Sequence, residues 1–203
     1  MLCLTKGGFM YILGKNFDKT TKFPGISMVV LTQPLPLLRP FAQNKFFSLQ
    51  TYYKKKSFII LMHLFTSDMH TGKLSKTRPM LKKLLPTILE STCFNEGNKP
   101  FSEEVLRTEI GHLFEHILLE YLCQAKLADG HEEASFSGTT DWNWNTDPQG
   151  TFWITISLEE HDYEYVEMAM EKTQALMHAI LDHHHLVPQV YMNHSAFFAS
   201  TSL

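Results

Sequence analysis

The feature that most constrains this chain is a long helical pattern between residues 102 and 128. Ser102 is a plausible N-cap, and Gly130 is a plausible stop just beyond Ala128. Apolar residues cover one broad side of the pattern: Leu106, Ile110, Leu113, Phe114, Ile117, Leu118, Tyr121 and Leu122. The other side is mostly polar: Thr108, Glu109, His112, Glu115, His116 and Glu120. We therefore expect one long helix with its apolar side on a core and its polar side facing a cleft or solvent.

Within this pattern lies the sequence H-x-x-E-H, formed by His112, Glu115 and His116. Residues four apart lie one turn above each other on a helix, so both imidazoles can reach a single ion such as zinc. Glu115 lies beside the pair and could accept a proton from a water molecule at that ion. The alternative is an ordinary solvated face of histidine and glutamate. The pattern is the inverted zinc-hydrolase signature.

Composition narrows the classes of function. The chain has 203 residues, of which 44% are hydrophobic, enough for a sizeable core. A net charge of -3 without a basic stripe argues against a nucleic-acid binder. No apolar run has the length of a membrane span. Three widely spaced cysteines resemble no disulfide framework, so we expect a reducing cytoplasm. Because the chain has no glycine-rich phosphate loop or Walker sequence, we expect no ATP site.

The chain divides into three parts. Residues 1–37 form an N-terminal extension of uncertain role, in which Met28 is an alternative start. Residues 38–185 form one domain, and residues 186–203 a polar, aromatic tail. Strands are predicted over 46–53, 57–65, 134–145 and 151–158. Helices are predicted over 80–91, interrupted by Pro86, over the H-x-x-E-H pattern, and from Asp162 or Tyr163 onward. This order predicts an α+β fold, with one antiparallel sheet, the helices packed on one face and the H-x-x-E-H helix central.

A wider motif surrounds the two histidines. It comprises Leu85-Pro86-x-x-x-Glu90-x-x-Cys93, then Gly97, then Gly111-His112-x-x-Glu115-His116-x-x-x-Glu120. With these residues and spacings, residues 38–182 resemble the N-terminal domain of cyanophycin synthetase. The chain departs from that family in having Lys99-Pro100 where a Gly-Gly is usual, and in lacking arginines near residues 137–140.

The resemblance implies a half domain of the pitrilysin type. Cyanophycin is a poly-aspartate that bears arginine side chains, and in some members this domain looks like a zinc peptidase that cuts the polymer. In other members it binds the polymer. The resemblance makes His112 and His116 metal ligands and Glu115 the general base.

A catalytic zinc commonly has a third protein ligand. Glu120 matches the family, but it lies eight residues from His112, about 12 Å along a helix axis. We therefore expect Glu120 to orient a histidine, and Glu164 to approach from the last helix as third ligand. Rival candidates are Glu160, Glu167, Asp141 and His131.

The leading hypothesis is a zinc-dependent hydrolase of peptide or isopeptide-like amide bonds, acting on a peptide or a cyanophycin-like polyamide. A second hypothesis is a non-catalytic module that binds a polymer or a synthetase partner. A third is an H-x-x-E-H metal lyase like S-ribosylhomocysteinase, which would need Cys93 or Cys123 to reach the metal. Whether the chain forms a homo-oligomer is left open by the sequence.

Overall fold

The computed structural model describes residues 39–94 and 99–184. The strands are β1 (Arg39–Gln43), β2 (Phe47–Lys54), β3 (Ser57–Leu64), β4 (Ser137–Asp141) and β5 (Thr151–Ser157). The helices are α1 (Thr77–Leu84), α2 (Phe101–Glu104), α3 (Ile110–Ala128) and α4 (Tyr163–His183). The predicted N-terminal extension, with Met28, and the C-terminal tail lie outside the described residues.

The five strands form one antiparallel sheet in the order β1-β2-β3-β5-β4. Along β3, buried and half-buried residues alternate, as expected when only one face of a sheet lies on the core. Phe58, Ile60 and Met62 belong to the buried face, here called the inner face. Ile59 and Leu61 belong to the opposite, outer face. The predicted α+β fold is confirmed.

Helix α3 lies against the inner face of the sheet. Gly111 makes the contact close, because a Cβ atom at this position would come within 2.5 Å of the ring of Phe152 on β5. Phe114 packs edge to face on Phe47 of β2, with ring centroids 6.2 Å apart. The α3 helix thus presents Gly111 and Phe114 to the sheet, and its other sides are left for the remaining helices and the segment before it.

The predicted start of the long helix is wrong. Helix α3 begins at Ile110, and the short α2 before it is a separate element. Between them the chain turns outward and pairs with residues 69–71. Thr71 donates its backbone N–H to Thr108 at 2.8 Å, and Ile110 donates to the carbonyl of Met69 at 2.8 Å. This pairing stabilises an extended backbone at Glu109, where the sequence pattern predicts helix.

The start of α2 also differs from the prediction. Pro100, and not Ser102, occupies the N-cap position. Leu106 lies outside any helix and is 53% exposed, although the helical pattern assigns it to the core. The predicted end at Ala128 is confirmed, and Gly130 has the positive φ of 95° that a glycine tolerates.

The polar side of α3 is also buried. Glu115, His116 and Glu120 are at most 7% exposed, whereas the sequence predicts a side facing a cleft or solvent. His116 and Glu120 are covered by a second layer of chain, the 3-10 turn Pro86–Glu90 and the residues after it. Glu115 is covered by strand β4, where Thr140 donates a hydrogen bond to its carboxylate. Pro86 begins that turn directly after α1, so the predicted interruption at Pro86 is confirmed.

The last helix starts where it was predicted, at Tyr163 with Asp162 before it. Strand β1 was not predicted, because its sequence Arg-Pro-Phe-Ala-Gln has no alternation. It pairs only with β2 at the edge of the sheet, a place where strands tolerate proline. None of the helices in the described part of the chain has the length and apolar character that a membrane span requires.

Candidate metal centre

Three potential metal ligands come together on the buried polar side of α3. They are the imidazole nitrogens of His112 and His116 and the thiol sulfur of Cys93, and one ligand atom of each lies within 4.8 Å of the others. Cys93 and His116 are buried, and His112 is partly exposed. This group could hold a metal ion.

The spacing of the donor atoms fits one ion. The two Nε2 atoms of His112 and His116 are 3.1 Å apart, and the Sγ of Cys93 is 3.4 Å from the Nε2 of His112. Around a tetrahedral zinc, bond lengths of about 2.05 Å to nitrogen and 2.3 Å to sulfur place such ligand pairs about 3.3 and 3.6 Å apart. These two pairs are therefore close to the separations of zinc ligands, and the third pair, Cys93 and His116, lies within 4.8 Å.

His116 is held in a defined tautomer and plane. The hydroxyl of Ser91 donates its proton to the carbonyl of Ile88 at 2.7 Å, so its oxygen accepts from the Nδ1–H of His116 at 3.3 Å. In a neutral ring this leaves Nε2 unprotonated. Phe101 stacks on the ring, with centroids 3.9 Å apart and planes 16° from parallel. The lone pair of Nε2 therefore points at the other donors.

His112 is held by the strand-like segment that precedes α3. Its Nδ1 is 2.7 Å from the hydroxyl oxygen of Thr108. Thr108 is buried, and it donates its own N–H to the hydroxyl of Thr71 at 2.9 Å. A threonine hydroxyl can donate or accept. The contact therefore suits a neutral His112 both when Nε2 carries a proton toward His116 and when Nε2 binds a metal.

Burial keeps both rings neutral. It lowers the pKa of His112 to about 4, although the negative charge of Glu104 raises that pKa slightly. Burial also lowers the pKa of His116 well below its ordinary value, and the nearby His112 lowers it further. Neutral imidazoles are the form that binds metals, so at neutral pH the histidines bind without first losing a proton to solvent.

Cys93 reaches the histidines because the chain folds back on itself just after the 3-10 turn. Cys93 donates its N–H to the carbonyl of Lys99 at 3.3 Å, and Phe101 donates to the carbonyl of Ser91 at 3.0 Å. Thr92 and Pro100 form an isolated β-bridge between these bonds. This short pairing brings the thiol of Cys93 and the ring of Phe101 to the same side of α3.

Glu115 directly precedes His116 in the chain, and its side chain faces the sheet. Its carboxylate accepts a hydrogen bond of 2.5 Å from Thr140 on β4, and a Cβ atom at Gly138 would come within 2.9 Å of it. Burial raises the pKa of Glu115 to about 7, an effect that the Thr140 hydrogen bond reduces and the charge of Asp141 increases. Although Glu115 directly precedes the candidate ligand His116, its carboxyl does not belong to the metal group.

Glu120 does not contact either histidine through the hydrogen bonds that the structure records. Its carboxylate accepts from the hydroxyl of Thr87 and from the side-chain amide of Gln124, the latter at 3.0 Å. The residues that orient the imidazoles are Ser91 and Thr108 instead. Glu120 ties the 3-10 turn to α3, which helps to fix the segment that carries Cys93.

The structure does not bring Glu164 to the histidines. Glu164 lies in the first turn of α4 and is exposed, and the third member of the group is Cys93 in its place. The rival candidates are exposed as well and do not join the group: Glu160, Glu167, Asp141 and His131. Cys123, the other cysteine considered, is buried in the apolar core.

The sequence analysis placed Cys93 near the metal only under the lyase hypothesis, as an alternative to Cys123, and it gave no role at the site to Ser91 or Thr108. Cys93 carried a signal, because it belongs to the wider motif around the histidines. No spacing rule links a residue 19 positions upstream to a helical pair, so the fold alone shows the proximity. Thr108 lies four residues before His112, but the sequence predicts helix there and gives no role to its hydroxyl.

Comparison with models of known protein families gave no match to this chain. A comparison with curated proteins likewise found none that matches it. The resemblance to the N-terminal domain of cyanophycin synthetase therefore stays a prediction from the motif.

Proposed function

We propose that this protein is a zinc-dependent hydrolase that cleaves peptide or isopeptide-like amide bonds. The observation that carries the proposal is the meeting of Cys93, His112 and His116, on whose helix the buried carboxyl of Glu115 also lies. Three protein ligands with a further position open to solvent are the usual composition of a catalytic zinc site. A thiolate and two imidazoles favour zinc over magnesium or calcium, which prefer oxygen ligands.

In this proposal Cys93, His112 and His116 hold the ion. When bound, zinc supplies a Lewis acid that polarises an amide carbonyl and lowers the pKa of water. Ser91 and Thr108 fix the orientation of the two imidazoles, as the outer partners of metal-bound histidines commonly do. Glu115 accepts the proton of the attacking water and returns it to the leaving amine. Thr140 holds the carboxyl of Glu115 in place for both transfers.

The wider motif supports an amide substrate. It resembles a domain that in some family members cuts a polyamide, so an arginine-bearing aspartyl polymer is the first substrate to assay. The free thiol of Cys93 is compatible with the cytoplasm, where cysteines stay reduced. A synthetase that makes the polymer is the corresponding partner.

One observation favours a second candidate, a metal lyase of the S-ribosylhomocysteinase type. That hypothesis required a cysteine near the histidines, and Cys93 lies there. The two candidate functions use the same metal group. They are distinguished by the bond that is broken. A hydrolase releases an amine and a carboxylate, whereas that lyase releases a thiol from a thioether.

The test is an assay of the zinc-loaded protein, its Glu115→Gln variant and a Glu164→Gln control. We expect the wild type and the control to generate new amino groups from the polymer or from a peptide mixture. The Glu115→Gln variant should keep its zinc and lose turnover. Full turnover in that variant would remove Glu115 as the base. Zinc binding without amide cleavage would favour the lyase, if a thiol is released, or a binding module.

A further inference from the structure

The outer face of the sheet has the composition of a protein interface. Cross-strand neighbours place Leu61 beside Trp153, and Tyr52 beside Ile59. These four half-buried residues form one apolar patch across β2, β3 and β5. Most side chains on the solvent-exposed face of a sheet are polar or charged. Aromatic residues together with depleted charge are characteristic of the core of an interface.

Charge carried by the strand residues of this face is confined to two corners, and the loop residue Asp147 accepts a hydrogen bond from the indole of Trp153 at 3.2 Å. On the outer face of β2, β3, β4 and β5, the only side chains of lysine, arginine, aspartate or glutamate are Lys54 and Asp141. Lys54 lies at the end of β2, in one cross-strand row with Ser57, Ser157 and Ser137. Asp141 lies at the opposite end of the edge strand β4. Both are exposed.

We infer that the outer face binds the outer face of a second copy of this chain. In a two-fold dimer, residue i contacts residue j of the partner and j contacts i. A two-fold axis that exchanges the positions of Lys54 and Asp141 lies parallel to the outer face and passes over the sheet between β3 and β5, near Ile59. Lys54 of each copy therefore lies opposite Asp141 of the other, and the apolar patch of one copy contacts the same patch of the other at the centre.

The spacing of the corners agrees with a known way of packing sheets. Lys54 and Asp141 are three strands and four residues apart, which is about 14 Å in each direction for ordinary strand spacings. With equal offsets, the two-fold axis turns the strands of one copy nearly at right angles to those of the other. Orthogonal packing is one of the two common arrangements of stacked sheets. If the outer face bound an unrelated apolar segment instead of a second copy, the opposite charges of Lys54 and Asp141 would have no role.

The test is a charge reversal followed by sedimentation of the full chain across a wide range of concentration. We expect the wild type to reach twice the 23.5 kDa mass of the chain. Lys54→Glu and Asp141→Lys should each weaken the dimer about tenfold, because each replaces two attractive contacts with two repulsive ones. The dissociation constant of the dimer formed by the double variant should be within about threefold of the wild-type value, since the double variant restores opposite charges at both corners.

Two further variants separate this face from others. Glu171→Lys changes the charge by the same amount as Asp141→Lys on an exposed site of α4, and it should leave the dimer unchanged. Leu61→Asn should abolish the dimer while the circular dichroism spectrum is preserved. A monomeric wild type would overturn the inference, as would a double variant that fails to recover. A dimer that forms only after removal of residues 1–38 would also overturn it, by assigning the face to that segment.

Discussion

The hydroxyl of Ser91 accepts a hydrogen bond from Nδ1 of His116, because its own proton is donated to the carbonyl of Ile88. One serine thereby sets the tautomer of a buried imidazole and points its Nε2 lone pair at His112 and Cys93. The candidate metal centre is thus arranged by the segment that covers α3 as much as by the helix itself.

Removing that hydroxyl should weaken metal binding without unfolding the protein. We expect Ser91→Ala to lower zinc affinity by about tenfold to a hundredfold, the usual effect of losing a partner that orients a ligand. Competition with a chromophoric chelator measures the change. Ser75→Ala, at an exposed serine, is the matched control and should keep wild-type affinity. Equal affinities for both variants would show that Ser91 does not orient His116.

The hydroxyl of Thr140 should affect the pKa of Glu115 and leave zinc binding unchanged. The Thr140→Val variant loses a hydrogen bond that favours the ionised carboxylate, so the pKa of Glu115 should rise. The acid limb of the pH–rate profile should then move to higher pH, with zinc content unchanged. Thr139→Val changes the neighbouring position on the outer face and should leave the profile in place. An unshifted profile in Thr140→Val would contradict the assigned contact.

Gly111 should resist substitution although it lies in a helix. Helix propensity alone makes Gly→Ala stabilising by about 1 kcal/mol. Here the new Cβ would come within 2.5 Å of the Phe152 ring, and such overpacking costs about 1–3 kcal/mol. We therefore expect Gly111→Ala to lower the free energy of unfolding, measured with urea. Gly72→Ala, where the nearest atom is 3.9 Å away, should have a much smaller effect.

The metal-free protein should show opposing pH effects from Glu115 and the histidines. The lowered pKa values of His112 and His116 mean that the unfolded chain binds more protons, so they reduce stability as the pH falls below about 6.5. The raised pKa of Glu115, about 7, means that the folded chain binds more protons. Its contribution is complete below about pH 4.5 and is lost as the pH rises toward 7.

The Glu115→Gln variant loses the pH dependence of stability that comes from Glu115 and keeps the one that comes from the histidines. Between about pH 5 and 6.5, the variant should lose stability relative to wild type by roughly 1.4 kcal/mol for each unit of acidification. Urea unfolding in the presence of a chelator at several pH values measures this difference. A constant difference between the two proteins across that range would mean that Glu115 is already ionised in the folded state.

The sequence was sufficient for the parts of the fold that follow from local pattern. Alternation predicted β2, β3 and β5 nearly to their ends, and periodicity predicted the end of α3 and the start of α4. It failed at Ile110, because the start of α3 depends on pairing with Met69 and Thr71, some forty residues away. For the same reason β1 was missed, since only its partner β2 makes it a strand.

The sequence likewise predicted the residues of the candidate site that follow from local pattern and missed those that depend on the fold. The two histidines and Glu115 follow from spacing on one helix, and the structure places them together or side by side. Cys93 depends on a fold-back of the chain whose backbone bonds join residues 91–93 to 99–101. No local pattern encodes that approach. The choice of Glu164 as third ligand assumed a short path from α4, whereas the covering segment supplies Cys93 on the side where the histidines face.

The most direct test of this account is the metal content of untagged protein after zinc is supplied and excess is removed, measured by inductively coupled plasma mass spectrometry. We predict about one zinc ion per chain in the wild type and in Glu164→Gln, and almost none in Cys93→Ala. An unchanged melting profile would show that Cys93→Ala is folded. A wild type without zinc, or a Cys93→Ala variant that retains it fully, would contradict the assignment of Cys93, His112 and His116 as the metal centre.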